Sequence, residues 1–118
     1  MGEITKTITI EVPQNVVYEA IKDMHLSGWI AKYCKDLSKD LLTEYTLSKD
    51  VPNSELSFSS SKWGTKLEAK YVIRSIGDFS EVTVYYKYRL TLAASVRSTM
   101  IETIGSLLML EKGYKAKA

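Results

Sequence analysis

The run KLEAKYVIRSIGDFSEVTVYYKYRL, Lys66–Leu90, decides the fold. Its two halves alternate apolar and polar residues with the period of a β-strand, and Gly77-Asp78 between them is a two-residue hairpin signal. Centring the turn there sets Ile76 opposite Phe79 and makes Ile73–Val82, Tyr71–Val84, Ala69–Tyr86 and Leu67–Tyr88 cross-strand pairs on one face. The other face then carries Arg74–Glu81 and Glu68–Lys87, both of opposite charge. Charge and hydropathy agree on one register, and a slip of one residue would spoil both faces.

Upstream, a turn at Gly64-Thr65 pairs Leu56 with Ile73, Phe58 with Tyr71, Ser60 with Ala69 and Lys62 with Leu67, and sets Glu55 against Arg74 outside. The inner face is then graded. Leu56, Ile73 and Val82 lie toward Gly77-Asp78; Ser60, Lys62, Tyr86 and Tyr88 lie toward the other end. With Leu41–Ser48 as a further alternating run, the strands Leu41–Ser48, Glu55–Trp63, Lys66–Ile76 and Phe79–Leu90 form an antiparallel meander.

Before the meander, Ile4, Ile8, Ile10 and Val12 alternate with Glu3, Thr5, Thr7, Thr9 and Glu11, a first strand broken only by Lys6. Pro13 suits the first position of a helix, where its missing N–H costs nothing, and Val16, Val17, Ala20, Ile21 and Met24 follow at helical spacing. Gly28 interrupts, and Trp29, Ile30, Tyr33, Cys34 and Leu37 resume helical spacing as a second short helix. After the meander, Leu92–Lys112 reads as one amphipathic helix about 30 Å long. Ala93, Met100, Ile101, Ile104, Leu107 and Leu108 form its expected inward stripe, and Ser95, Thr99, Glu102 and Ser106 its outward face.

Arg97 falls inside that stripe, and a cation aimed inward needs a partner. The last strand ends at Leu90, so the helix should begin beside Lys62, Ser60, Tyr86 and Tyr88 and run back across the sheet. Taken singly, Arg97 reads as a helix-end arginine whose head reaches water, Lys62 as a strand-end lysine and the tyrosines as core. Their convergence at one end of an apolar face is what suggests an anchor for an anionic head group.

Composition removes other classes. The 118 residues suffice for one domain with a real core, spanning 1–118, and 45% apolar with 25% charged residues is ordinary globular composition. A net charge of +2 leaves no broad footprint for nucleic acid. One cysteine, Cys34, and one histidine, His25, leave almost no material for a disulfide framework, a metal site or a Cys–His nucleophile. No phosphate-binding glycine loop or nucleophile elbow occurs, and no cofactor is expected. The first residues enter a strand pattern at once and no apolar run is long enough to span a bilayer, so the expectation is a cytoplasmic protein without stable membrane insertion. Met109 and Leu110, off the stripe, hint at self-association.

The stretch Ile8-Thr9-Ile10-Glu11-Val12-Pro13-Gln14-Asn15-Val16-Val17-Tyr18-Glu19-Ala20-Ile21-Lys22-Asp23, followed by Trp29, resembles the opening of the START and birch-pollen-allergen-like helix-grip superfamily, which includes polyketide cyclases and lipid carriers. The order of strand, two short helices, meander and long helix is similar to that superfamily throughout. The resemblance implies an α+β helix-grip fold, with an antiparallel sheet of about five strands wrapped around the C-terminal helix. The family usually has six strands in the middle where four are placed here, so the grip should be smaller, with an open edge that favours a homodimer. The short length is similar to small archaeal members thought to carry fatty acids.

The expected function is non-catalytic carriage of a small hydrophobic ligand, a fatty acid first. An acyl chain would lie along Ile8, Ile10, Phe58, Tyr71, Ile73, Val84 and Ile104, under a roof that includes Met100 and Leu108. Its carboxylate would meet Arg97 and Lys62 beside Ser60, with Tyr86 and Tyr88 donating hydroxyls. The alternatives are a cyclase- or isomerase-type enzyme using Tyr86 or Tyr88, and a protein-interaction module with no ligand.

Overall fold

The computed structural model describes residues 2–26, 46–62, 65–89 and 93–117. Its elements are β1 (Gly2–Ile10), α1 (Gln14–Leu26), β2 (Thr46–Val51), β3 (Glu55–Lys62), β4 (Thr65–Ile76), β5 (Phe79–Tyr88) and α2 (Ala93–Lys117). The second short helix expected around Trp29–Leu37, together with Cys34, lies outside the described residues. So does the start of the run expected at Leu41–Ser48, whose described part begins at Thr46.

The five strands form one antiparallel sheet in the order β1-β5-β4-β3-β2. The β4–β5 hairpin has the register read from the sequence, with Ile73 opposite Val82, Tyr71 opposite Val84 and Ile76 opposite Phe79. Gly77 takes a φ of 59°, the left-handed conformation that the turn requires. Arg74 and Glu81 pair on the outer face at 3.3 Å.

The β3–β4 register differs from expectation by two residues. Leu56 faces Tyr71, Phe58 faces Ala69, Ser60 faces Leu67 and Lys62 faces Thr65. Lys62 therefore pairs with Thr65 where Leu67 was expected. A two-residue slip preserves which side chains face inward, because the strand period is two. What changes is the charge pairing: Glu55 bonds Lys49 at 2.7 Å and Lys70 at 3.2 Å instead of standing opposite Arg74. The β2–β3 turn also has a readable cause. Pro52 presets the first central position, Asn53 accepts a φ of 64°, and the Ser54 N–H bonds the Val51 carbonyl at 3.0 Å.

Both helices lie on the same face of the sheet. α1 rests on β3, β4 and β5, and α2 on β1 and β5. α1 starts one residue later than Pro13, whose carbonyl accepts the Val16 and Val17 N–H groups at 3.1 Å. Its first turn is tied down by Gln14 Nε2 on the Ile73 carbonyl at 3.1 Å, while Ser80 Oγ, fully buried, donates to the Val12 carbonyl at 2.6 Å. α2 begins beyond the Tyr88 end of β5 and runs back to the opposite pole, where Glu111 accepts the Glu11 N–H at 2.6 Å and Lys115 pairs with Glu11 at 2.9 Å. The core between the layers contains Ile10, Val17, Ile21, Leu56, Phe58, Tyr71, Val84 and Tyr86.

α2 is turned about its axis relative to the stripe expected from the sequence. Its buried positions are Val96, Met100, Thr103 and Leu107. At 100° per residue the centre of that set lies roughly 60° from the centre of the expected stripe. Ile101, at 74% exposure, and Leu108, at 49%, face water instead.

Candidate functional site

The polar centre of the interior is a chain of hydroxyls. Tyr71 on β4 and Tyr86 on β5 point under α2, their hydroxyls 3.2 Å apart, and the Tyr86 hydroxyl is 3.0 Å from Thr103 Oγ1. All three residues are essentially inaccessible to water. Phe58 packs edge-on against Tyr71, ring centres 6.3 Å apart. The space in which an acyl chain was expected is thus filled by the protein's own side chains.

The structure places the expected site residues as follows. Phe58, Tyr71, Ile73, Val84, Ile10 and Met100 are core, and Ile8 and Ile104 pack against it half-buried. Tyr86 spends its hydroxyl on Tyr71 and Thr103 rather than presenting it to a head group. Tyr88 is buried over Gly2, where a Cβ would come within 2.5 Å of its ring. Arg97 is exposed, and Leu108 largely so, because the turned helix carries both out of the interior. Ser60 and Lys62 keep their places on β3, but their side chains lie outside the described residues. Of the expected anchor's described side chains, Arg97 faces solvent while Tyr86 and Tyr88 are buried.

The apolar space opens elsewhere, between α1 and α2. A groove of about 780 Å³ is lined on one wall by Ala20, Ile21 and Asp23, and on the other by Ile101, Glu102, Gly105, Ser106, Leu107, Met109 and Leu110. It exists because small side chains face it. Ala20 on α1 and Gly105 and Ser106 on α2 leave room that larger residues would fill. Ser106 is further drawn back onto its own helix, donating to the Glu102 carbonyl at 2.8 Å. The floor is apolar through Ile21, Leu107 and Leu110; among the described residues the charged groups on its walls are Asp23 and Glu102, both exposed and both acidic. Ligand sites typically occupy about 300–1,000 Å³ with this kind of mostly apolar lining.

Beside the groove, α1 is clamped to β2. Tyr18 donates its hydroxyl to Asp50 Oδ1, and Lys22 Nζ donates to Asp50 Oδ2 at 3.0 Å while lying 5.6 Å from the Tyr18 ring centre. The Tyr18 hydrogen bond, followed by that of Lys22, holds the Asp50 carboxyl below the usual carboxylate range. The same carboxylate raises Tyr18 and Lys22 above their ordinary values. On the outer face the bond from Lys49, with a smaller share from Lys70, lowers Glu55 against the opposing effect of its burial. Among the described residues no group of His, Cys, Asp and Glu side chains is placed to hold a metal ion, and no helix is long and apolar enough to cross a membrane.

The groove walls carried little signal in the sequence. Glu102 and Ser106 read as outward-facing, Asp23 and Gly105 carried no reading of their own, and only the juxtaposition of two helices far apart in the chain makes them neighbours. Thr103 was missed for a chemical reason: a threonine is an outward residue by hydropathy, but here two tyrosine hydroxyls give it a buried partner.

No protein-family model matches the chain, and no curated protein matches it. Solved structures do. A START superfamily protein from Mycobacterium smegmatis superposes with a TM-score of 0.59 at 12% identity, over 95% of each chain. The Aha1 dimer from Colwellia psychrerythraea gives 0.61 at 16% identity over 94% of each chain. CalU16 from Micromonospora echinospora gives 0.61 at 15% identity over 92% of this chain and 71% of its own. At these identities the likeness is one of fold. The architecture is the START-like helix-grip fold, α+β with an open five-stranded antiparallel sheet and a long C-terminal helix, as the opening stretch implied.

Proposed function

We propose that the chain binds a small hydrophobic ligand in the groove between α1 and α2 and carries it without changing it. The observation that supports this is the groove itself, about 780 Å³ and floored by Ile21, Leu107 and Leu110 on a START-like fold. Against catalysis stands the position of the two tyrosines that an enzyme reading would use. Neither Tyr86 nor Tyr88 lines the groove.

The sequence alone favours a fatty acid, and the rim narrows that choice. A carboxylate entering beside Asp23 or Glu102 would meet like charge, worth about 1 kcal/mol per pair at about 4 Å even in a water-like dielectric. A lipophile with a neutral head, or a fatty acid whose carboxylate stays out in solvent, fits the rim better. The second reading, a protein-interaction module, draws on the likeness to the Aha1 dimer and on the exposed apolar residues of α2.

Native mass spectrometry of the purified chain, followed by solvent extraction, separates these readings. A carrier releases an unaltered lipophile with its mass adduct, an enzyme converts an added one, and an interaction module yields neither.

A further inference from the structure

The polar atoms lining the groove between α1 and α2 share one property. Among the described residues its polar side chains are Asp23 on α1 and Glu102 and Ser106 on α2. Carboxylates accept hydrogen bonds and donate none. The Ser106 hydroxyl spends its proton on the Glu102 carbonyl at 2.8 Å, so its oxygen has only lone pairs left to offer. The backbone N–H groups along these helix interiors are taken up within the helices. The described lining therefore offers acceptors and no donor. No basic side chain among the described residues lines the groove: Lys22 is turned to the other flank of α1, onto Asp50 at 3.0 Å, and neither Arg97 nor Lys112 reaches the lining.

The two carboxylates also gather at one end. α2 arrives at, and α1 leaves, the pole where Glu111 accepts the Glu11 N–H at 2.6 Å. Asp23 stands nine residues beyond Gln14, and Glu102 nine residues before Glu111, so each lies about 13.5 Å along its helix from that pole. Leu107, Met109 and Leu110 line the stretch between that level and the pole. An acidic, acceptor-only end that continues into an apolar floor is complementary to a cation with N–H donors on an apolar tail. We propose that the occupant of the groove is a cationic amphiphile, an assignment that rests on the groove being the ligand site: a primary alkylammonium with its head between Asp23 and Glu102 and its chain along Ile21, Leu107 and Leu110. Such an amine, with a pKa near the value of about 10.4 for lysine, is charged at neutral pH and brings N–H donors to these acceptors. The formal net charge of +2 repels cations at long range, so a preference for one has to arise locally.

The test compares decylammonium, decanol and decanoate by isothermal titration of the whole chain at neutral pH, each below its micelle concentration. The expected result is that decylammonium binds most tightly, at least about threefold more tightly than decanol at low salt, as two exposed charge pairs allow. Raising the ionic strength from about 0.01 to about 1 M shortens the Debye length from about 30 to about 3 Å and should bring the amine-to-alcohol ratio toward parity. The isosteric Asp23→Asn and Glu102→Gln variants, both at exposed positions, should each lower that ratio, and the double variant should bring it to parity with an unchanged circular dichroism spectrum. Asp78→Asn, which removes an equal charge at the β4–β5 turn outside the groove, should keep the native ratio. Decylammonium binding no more tightly than decanol, decanoate binding most tightly, or a ratio that survives the double variant would overturn the cationic assignment while leaving the groove as a ligand site. Binding of none of the three would remove the groove as a site, and the assignment with it.

Discussion

Thr103 Oγ1 lies 3.0 Å from the Tyr86 hydroxyl, which in turn lies 3.2 Å from that of Tyr71. This contact joins α2 to β5 through the middle of the core, and it accounts for the rotation of the helix. Turning α2 to bury Ile101 and Leu108 would leave two tyrosine hydroxyls under an apolar stripe without the threonine that now faces them.

Thr103→Val keeps the shape and removes the hydroxyl. It should cost about 1–3 kcal/mol in urea unfolding, because it takes a partner from a buried polar group. Tyr86→Phe should cost about 1 kcal/mol, and the double variant less than the sum, with a coupling of about 0.5–1.5 kcal/mol. Additive losses would mean that the two side chains do not interact.

The phase of α2 makes a second expectation that needs no ligand. Leu107→Ala should lose about 2–5 kcal/mol, as a core leucine does. Leu108→Ala, next to it but half in water, should lose less than about 1 kcal/mol, and Arg97→Ala should change stability by no more than about 0.5 kcal/mol. Had the helix faced inward as hydropathy alone suggests, Leu108 would be a large loss as well.

These particular residues show what was legible in the chain and what was not. The β4–β5 register could be read because a turn residue, an apolar alternation and two charge pairs all specify it. The β3–β4 register came out two residues off because Trp63-Gly64 and Gly64-Thr65 are equally plausible turns, and an even slip leaves the hydropathy pattern intact. Helix α2 was found but its facing was not. It carries apolar residues on both sides, Val96, Met100 and Leu107 on one and Ile101, Leu108 and Met109 on the other. Choosing between them required Tyr71 and Tyr86 on the neighbouring strands, the nearer of them 17 residues before Thr103. The groove was illegible for the same reason, being made of residues whose only relation is tertiary.

The Tyr18–Asp50–Lys22 clamp predicts a pH dependence. The folded pKa of Asp50 is lowered, so its contribution is fully present above the unfolded carboxylate value of about 3.9 and is lost as pH falls through the lower folded value. Lys22 and Tyr18 are raised, so theirs is fully present below about pH 10 and is lost as pH rises through the folded values. Asp50→Asn should therefore lower stability at neutral pH and flatten the acid limb of a stability–pH curve, leaving the share owed to Glu55. An unchanged acid limb would mean that the clamp is not formed in solution.

The most direct test of the ligand groove is an amide NMR titration with a long-chain alcohol and the carboxylate of equal length, on the native chain and on Ala20→Phe. The expected result is that shifts gather on α1 around Ala20–Asp23 and on α2 from Ile101 to Leu110, that the alcohol binds more tightly than the carboxylate, and that Ala20→Phe, by filling the groove, removes most of the response. Shifts centred on the sheet interior at Tyr71 and Tyr86, or no saturable shifts with either compound, would contradict it.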